Sequence, residues 1–114
     1  MSEAKELISK MCDLQNSSEE MQRELSGWEG VVQYRIGGEK FYVEYRGDGT
    51  CTFNEGEHGS PKFTVVTEPD FWVDVLKGKE DPISAYLMGK YKIEGNLFEA
   101  QKLAKVLKKF AGKI

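Results

Sequence analysis

The chain is poor in the residues that build special chemistry. Among its 114 residues it has two cysteines, Cys12 and Cys51, and a single histidine, His58. Two thiols in different expected elements and one imidazole lack the short spacing of a metal site, and they are too few for a disulfide framework. They read as free buried thiols, with no metal and no cofactor implied. No apolar run approaches the ~18 residues of a bilayer-spanning helix. The opening MSEAKELISK mixes acids and bases without the basic head and apolar centre of a secretory signal, which places the chain in the cytosol. In that setting the sequon Asn16-Ser17-Ser18 and the tripeptide Arg46-Gly47-Asp48 are coincidences. Repeats, linkers and low-complexity stretches are also missing, so residues 1–114 are expected to form one domain that buries roughly two-thirds of its unfolded surface.

What is present is an ordinary globular composition, 39% hydrophobic and 31% charged, with six Phe, five Tyr and two Trp. The net charge of −3 hides an asymmetry. Up to Leu87 there are nine Lys/Arg against seventeen Asp/Glu, and from Met88 onward seven Lys against two Glu. The basic end suggests an anionic partner, such as a membrane surface met by Lys102, Lys105, Lys108, Lys109 and Lys113. The plainer reading is that these lysines solvate a helix and complement its negative end. The acidic body argues against nucleic acid.

Periodicity orders the elements. Ser2 caps a helix carrying Ala4, Leu7, Ile8, Met11 and Leu14 on one face, and Ser17 with Glu20 forms a capping box for a second helix with Met21, Leu25 and Trp28. Strands follow at 31–36, 40–46, 50–54 and 63–67. The first three alternate apolar with polar residues and are joined by glycine turns, as in an antiparallel meander. The EGEHGSP connection is long enough to cross the sheet before the fourth. Pro69 opens a helix bearing Phe71, Trp72, Val75 and Leu76. Asp81-Pro82 opens another with Ile83, Tyr86 and Leu87 on one face. In the stretch LMGKYKIEGN, Tyr91 and Ile93 alternate with charged residues as a one-sided strand between glycines. Asn96 and Glu99 then start a last helix with Leu97, Ala100, Leu103, Ala104, Val106, Leu107 and Phe110 inward. The order implies an α+β fold with helices on one face of a mixed five-stranded sheet.

The run PDFWVDVLKGKEDPISAYLMGKYKIEGNLFEAQKL resembles the C-terminal half of the sterol carrier protein type 2 domain. It supplies Gly78, Asp81-Pro82, Gly89-Lys90, Ile93, Gly95-Asn96 and Leu103 in that family's register, and the resemblance covers residues 61–110 well and the remainder in element order. It implies a sheet with helices over one face that enclose an apolar tunnel or cavity for fatty acids, acyl-CoA, phospholipids or sterols, and no catalysis. The chain ends Gly112-Lys113-Ile114 in place of the family's peroxisomal Ser-Lys-Leu type of ending, which argues against peroxisomal import and against a sterol as ligand.

A cavity holding an acyl chain gains ~0.8 kcal/mol per buried methylene without any hydrogen bond. The candidates for its lining are Phe71, Trp72, Val75, Leu76, Ile83, Tyr86, Leu87, Met88, Leu97, Phe98, Val106, Leu107 and Phe110. Singly, each of these residues is as readily explained as plain core. The short helices on either side of Lys77-Gly78-Lys79-Glu80 suggest a gate. His58 has no Ser or Cys partner, and Glu20/Glu24 and Asp70/Asp74 read as solvated helical turns, so an enzyme is not expected. Two functions fit: a free-standing lipid carrier, or an accessory module for a partner enzyme of lipid or isoprenoid-quinone metabolism.

Overall fold

The computed structural model describes residues 2–113; Ile114, the last residue of the terminal tripeptide, lies outside the described residues. Helices α1 (Glu3–Ser17) and α2 (Glu19–Leu25) precede strands β1 (Ser26–Ile36), β2 (Glu39–Asp48), β3 (Cys51–Glu55) and β4 (Phe63–Thr67). Then come α3 (Pro69–Leu76), α4 (Pro82–Leu87), β5 (Lys92–Gly95) and α5 (Leu97–Phe110). The strand order is β3-β2-β1-β4-β5, and only the β1–β4 pair is parallel. This is the α+β, mixed five-stranded arrangement expected from the sequence.

Alternation fixes the inner face of the sheet. Val32, Tyr34 and Ile36 of β1, Phe41, Val43 and Tyr45 of β2, and Phe63 and Val65 of β4 are buried, and their register stacks Tyr34 between Phe41 and Val65. A one-residue slip would turn every one of these side chains outward. The Tyr34 and Phe41 rings stack with centroids 5.5 Å apart. Cys12 of α1 meets Cys51 of β3 with sulfurs 2.9 Å apart, and both are free and buried. That contact, together with burial, pushes the Cys51 thiol well up.

The outer face holds a surprise at Gln33, which the alternation assigns to solvent but which is buried. The connection from β3 to β4 crosses this face, because β4 pairs on the far side of β1. Gln33 pins it there. Its Nε2 donates to the carbonyls of Phe41 and Gly56, both at 3.0 Å, and its Oε1 accepts from the His58 N–H at 2.8 Å. His58 packs edge-on to Tyr42, with centroids 5.2 Å apart. Replacing Gln33 by Leu strands these buried backbone groups and should cost about 2–3 kcal/mol in chemical denaturation, whereas an outward glutamine would cost almost nothing.

Local chemistry sets the helix ends, with differences of detail. Ser18, rather than Ser17, caps α2, its side chain accepting from the Met21 N–H; of two adjacent serines, the second is the one with extended backbone. Trp28 lies in β1 and not on the second helix. The buried face of α1 carries Cys12 and Gln15 beside Ala4, Leu7 and Ile8, and Leu14 is only half-buried. Asp81 caps α4 by accepting from the Ile83 and Ser84 N–H groups, and Asn96 caps α5. In α4 the innermost residues are Pro82 and Ala85, and Leu87 turns outward. Leu97, expected inward, is 39% exposed at the first turn of α5.

Candidate functional site

An apolar hollow of about 60 Å³ lies between the sheet and α5. Its floor is the inner face of the sheet, with Val32 and Tyr34 from β1, Tyr45 from β2, Phe63 and Val65 from β4, and Ile93 from β5. Its roof is α5, through Ala100, Leu103, Ala104, Val106, Leu107 and Phe110. Met11 and Gln15 of α1 with Met21 and Leu25 of α2 form one wall, and Trp72, Pro82 and Tyr91 form the other. Two alanines one helical turn apart face this space, and small side chains opposite a flat apolar face leave the roof incompletely filled.

Among the described residues, no Asp, Glu, Lys, Arg or His lines the hollow. Its polar groups are Gln15, Tyr34, Tyr45, Trp72 and Tyr91. Gln15 is held by donating to the carbonyls of Met21 at 2.9 Å and Gly49 at 2.7 Å, which fastens α2 and the β2–β3 turn beside the hollow. The Tyr91 hydroxyl donates to the Pro82 carbonyl at 2.6 Å and so ties the start of α4 to the approach to β5. Burial pushes Tyr91 up to about 12, and it raises Tyr34 and Tyr45 further, so all three are neutral phenols at physiological pH.

Of the thirteen residues named from the sequence, Trp72, Val106, Leu107 and Phe110 line the hollow. Val75 and Leu76, on the same face of α3 as Trp72, are buried in solid core and do not reach the hollow. Phe71 and Tyr86 are half-buried and pack around Tyr91, with centroids 6.0 and 5.8 Å away, and Ile83 is half-buried on α4. Leu87, Met88 and Phe98 are exposed at 76%, 71% and 67%, and Leu97 lies beside Phe98 at the surface. The floor and the α1–α2 wall are lining that helical stripes alone do not suggest. The alternation of β1 and β4 marks the floor residues as inward-facing, but whether the helix above fills the space against them depends on packing between distant segments.

The basic end is partly engaged within the fold. Lys108 bonds Asp81 at 2.7 Å, and this contact lowers the Asp81 carboxyl below its usual range; Lys109 pairs with Glu24. Lys102 lies over the Phe98 ring at 5.2 Å from its centroid and Lys113 over Phe110 at 5.3 Å. Among the described residues, no group of three or more His, Cys, Asp or Glu is placed to hold a metal, and no helix is long and apolar enough to cross a membrane.

A mixed sheet with helices over one face and an apolar space beneath the last of them defines a sterol-carrier-like class of fold. The family model of the SCP-2 sterol transfer family matches residues 8–108, and the chain belongs to that family. The chain is similar to palmitated SCP2L2 from Aedes aegypti, with a TM-score of 0.73 and 21% identity over 94% of this chain and 95% of that one. It is also similar in fold to the ubiquinone synthesis protein UbiJ-SCP2, with a TM-score of 0.67 and 12% identity over 90% and 91% of the two chains. A stretch of 53 residues, 46% of the chain, is 36% identical to peroxisomal multifunctional enzyme type 2 from Mus musculus; it spans 7% of that enzyme's length.

Proposed function

We propose that the chain is a single non-catalytic domain that binds, and passes on, a lipid whose hydrocarbon part occupies the space between α5 and the sheet. The observation that carries this reading is the lining itself: an apolar hollow with no charged side chain in a protein of the SCP-2 sterol transfer family. Fatty acid, acyl-CoA, phospholipid and other hydrophobic molecules share the part that such a lining recognises. The similarity to a protein described as palmitated supports the same chemistry. At about 60 Å³ the hollow is smaller than the ~300 Å³ or more of a typical ligand pocket, so binding requires the roof to lift. The half-buried Leu103, Ala104, Val106 and Leu107 make α5 the segment that moves most easily, with the α3–α4 joint as the gate.

Native mass spectrometry of the protein purified under mild conditions, together with displacement of a fluorescent fatty acid, tests this reading. A lipid adduct and competition by unlabelled lipid are expected. Protein that carries no lipid and binds no probe would count against it.

A second reading is an accessory module for an enzyme of lipid or isoprenoid-quinone metabolism. The exposed Leu87, Met88 and Phe98 favour a surface that meets another macromolecule, and the similarity to a ubiquinone synthesis protein supports that context. Co-purification of an enzyme with no binding of isolated lipids would favour it over the first. In either case we place the protein in the cytosol. The lysines of α5 without an ion-pair partner among the described residues offer salt-sensitive contact with an anionic membrane during exchange, and no nucleic acid partner is expected.

A further inference from the structure

Of the polar side chains that line the hollow, Gln15 and Tyr91 are fastened by the fold and Trp72 is not. Gln15 and Tyr91 donate to backbone carbonyls, and the other indole, that of Trp28, donates to Glu99 Oε2 at 2.5 Å. Trp72 is 3% exposed and lines the hollow, and among the described residues its buried Nε1–H has no acceptor. Buried donors are nearly always paired, and an unmet one costs the fold its full desolvation. A strict hydrocarbon carrier would gain more from Phe or Leu at this position.

The surroundings decide which acceptor fits. An ionised carboxylate taken into this lining would be desolvated without any cation to offset it. An uncharged oxygen loses far less and takes one hydrogen bond from the indole. The neutral phenol of Tyr34, whose ring centroid lies 6.4 Å from that of Trp72, adds a polar neighbour without adding charge. Resting on the lipid-carrying reading above, we propose that Trp72 is the polar anchor of the hollow. It donates its Nε1–H to an uncharged oxygen, an ester or ketone carbonyl or a hydroxyl, on the buried end of the ligand. The site therefore prefers neutral oxygenated lipids both to plain hydrocarbon and to ionised fatty acid.

The test compares dodecane, methyl laurate and laurate in displacing a pyrene-labelled hydrocarbon from the wild-type protein and from Trp72→Phe. Methyl laurate should compete at a concentration roughly five- to tenfold lower than dodecane, the worth of one net hydrogen bond. Trp72→Phe should abolish that difference, so that ester and dodecane compete equally whatever the change in ring size does to both. In the wild-type protein a proton–nitrogen correlation spectrum should show the Trp72 indole N–H moving downfield with methyl laurate but not with dodecane. The Trp28 signal, tied to α5 through Glu99, should report roof movement equally for both ligands. The spectrum decides the matter even if the variant folds poorly. Equal affinity for methyl laurate and dodecane, a preference that survives in Trp72→Phe, or identical indole shifts, as expected if the N–H rests over the Tyr91 ring 5.1 Å away, would overturn the anchor. Laurate competing as well as its methyl ester would overturn the preference for a neutral group. If none of the three displaces the probe, the lipid-carrying reading itself falls; if dodecane displaces it and the ester gains nothing, only the anchor does.

Discussion

Gly49→Ala should be the most damaging small substitution in the chain, costing about 3–4 kcal/mol and lowering the melting temperature by on the order of 15 °C. Gly49 closes the β2–β3 turn with φ of +90°, a conformation that an L side chain adopts only under strain. An added Cβ would also lie 2.4 Å from the Gln22 carbonyl oxygen and 2.6 Å from its Cα, and these are backbone atoms that cannot rotate away. The turn and α2 are fastened together here, because Gln15 donates to the carbonyls of both Met21 and Gly49. Pushing them apart opens the α1–α2 wall of the hollow as well as the turn. Thermal unfolding followed by circular dichroism measures the loss. Gly59→Ala is the control, since nothing lies within 4 Å of an added Cβ there and its φ is outside the restricted region.

Ala104→Phe should have the opposite balance, a large loss of lipid binding with a small change in stability. Ala104 lines the roof and is half-buried, so a phenyl ring there can enter the hollow without displacing core already packed around Val75 and Leu76. Overpacking costs about 1–3 kcal/mol where no room exists, and the hollow reduces that cost. A ring in this position takes the place of two or three ligand methylenes, worth ~2 kcal/mol of binding, or roughly thirtyfold in affinity. Probe displacement and thermal unfolding should be measured on the same sample. Affinity equal to wild type in a folded variant would place the lipid elsewhere.

Much of the architecture was legible because its signals are local. Asp81-Pro82 and Asn96 with Glu99 mark helix starts by the backbone N–H groups they satisfy, and the structure places α4 and α5 where these caps require. The inner sheet face follows from alternation, which a strand cannot escape without burying its polar residues. The less legible features depend on distant segments. Gln33 is buried only because a connection some twenty-five residues later folds over it and takes up its amide. The floor of the hollow is sheet, and alternation shows that Phe63 and Val65 point inward without showing whether α5 reaches them. The exposure of Leu87, Met88 and Phe98 breaks the rule that bulky apolar residues near a helical stripe face the core. Trp72 was legible as a lining candidate, but its unpaired indole nitrogen becomes visible only once every neighbouring acceptor has been placed.

The most direct measurement is an isotope-filtered proton contact experiment between a labelled acyl chain and the methyl groups of the unlabelled protein. Contacts from chain methylenes to Val32, Val65, Leu103 and Leu107, with none to Val43 or Val75 in the solid core, are the predicted result. Contacts confined to Leu87, Met88 and Leu97 on the outer surface, or no contacts at saturating lipid, would contradict the claim that hydrocarbon lodges beneath α5.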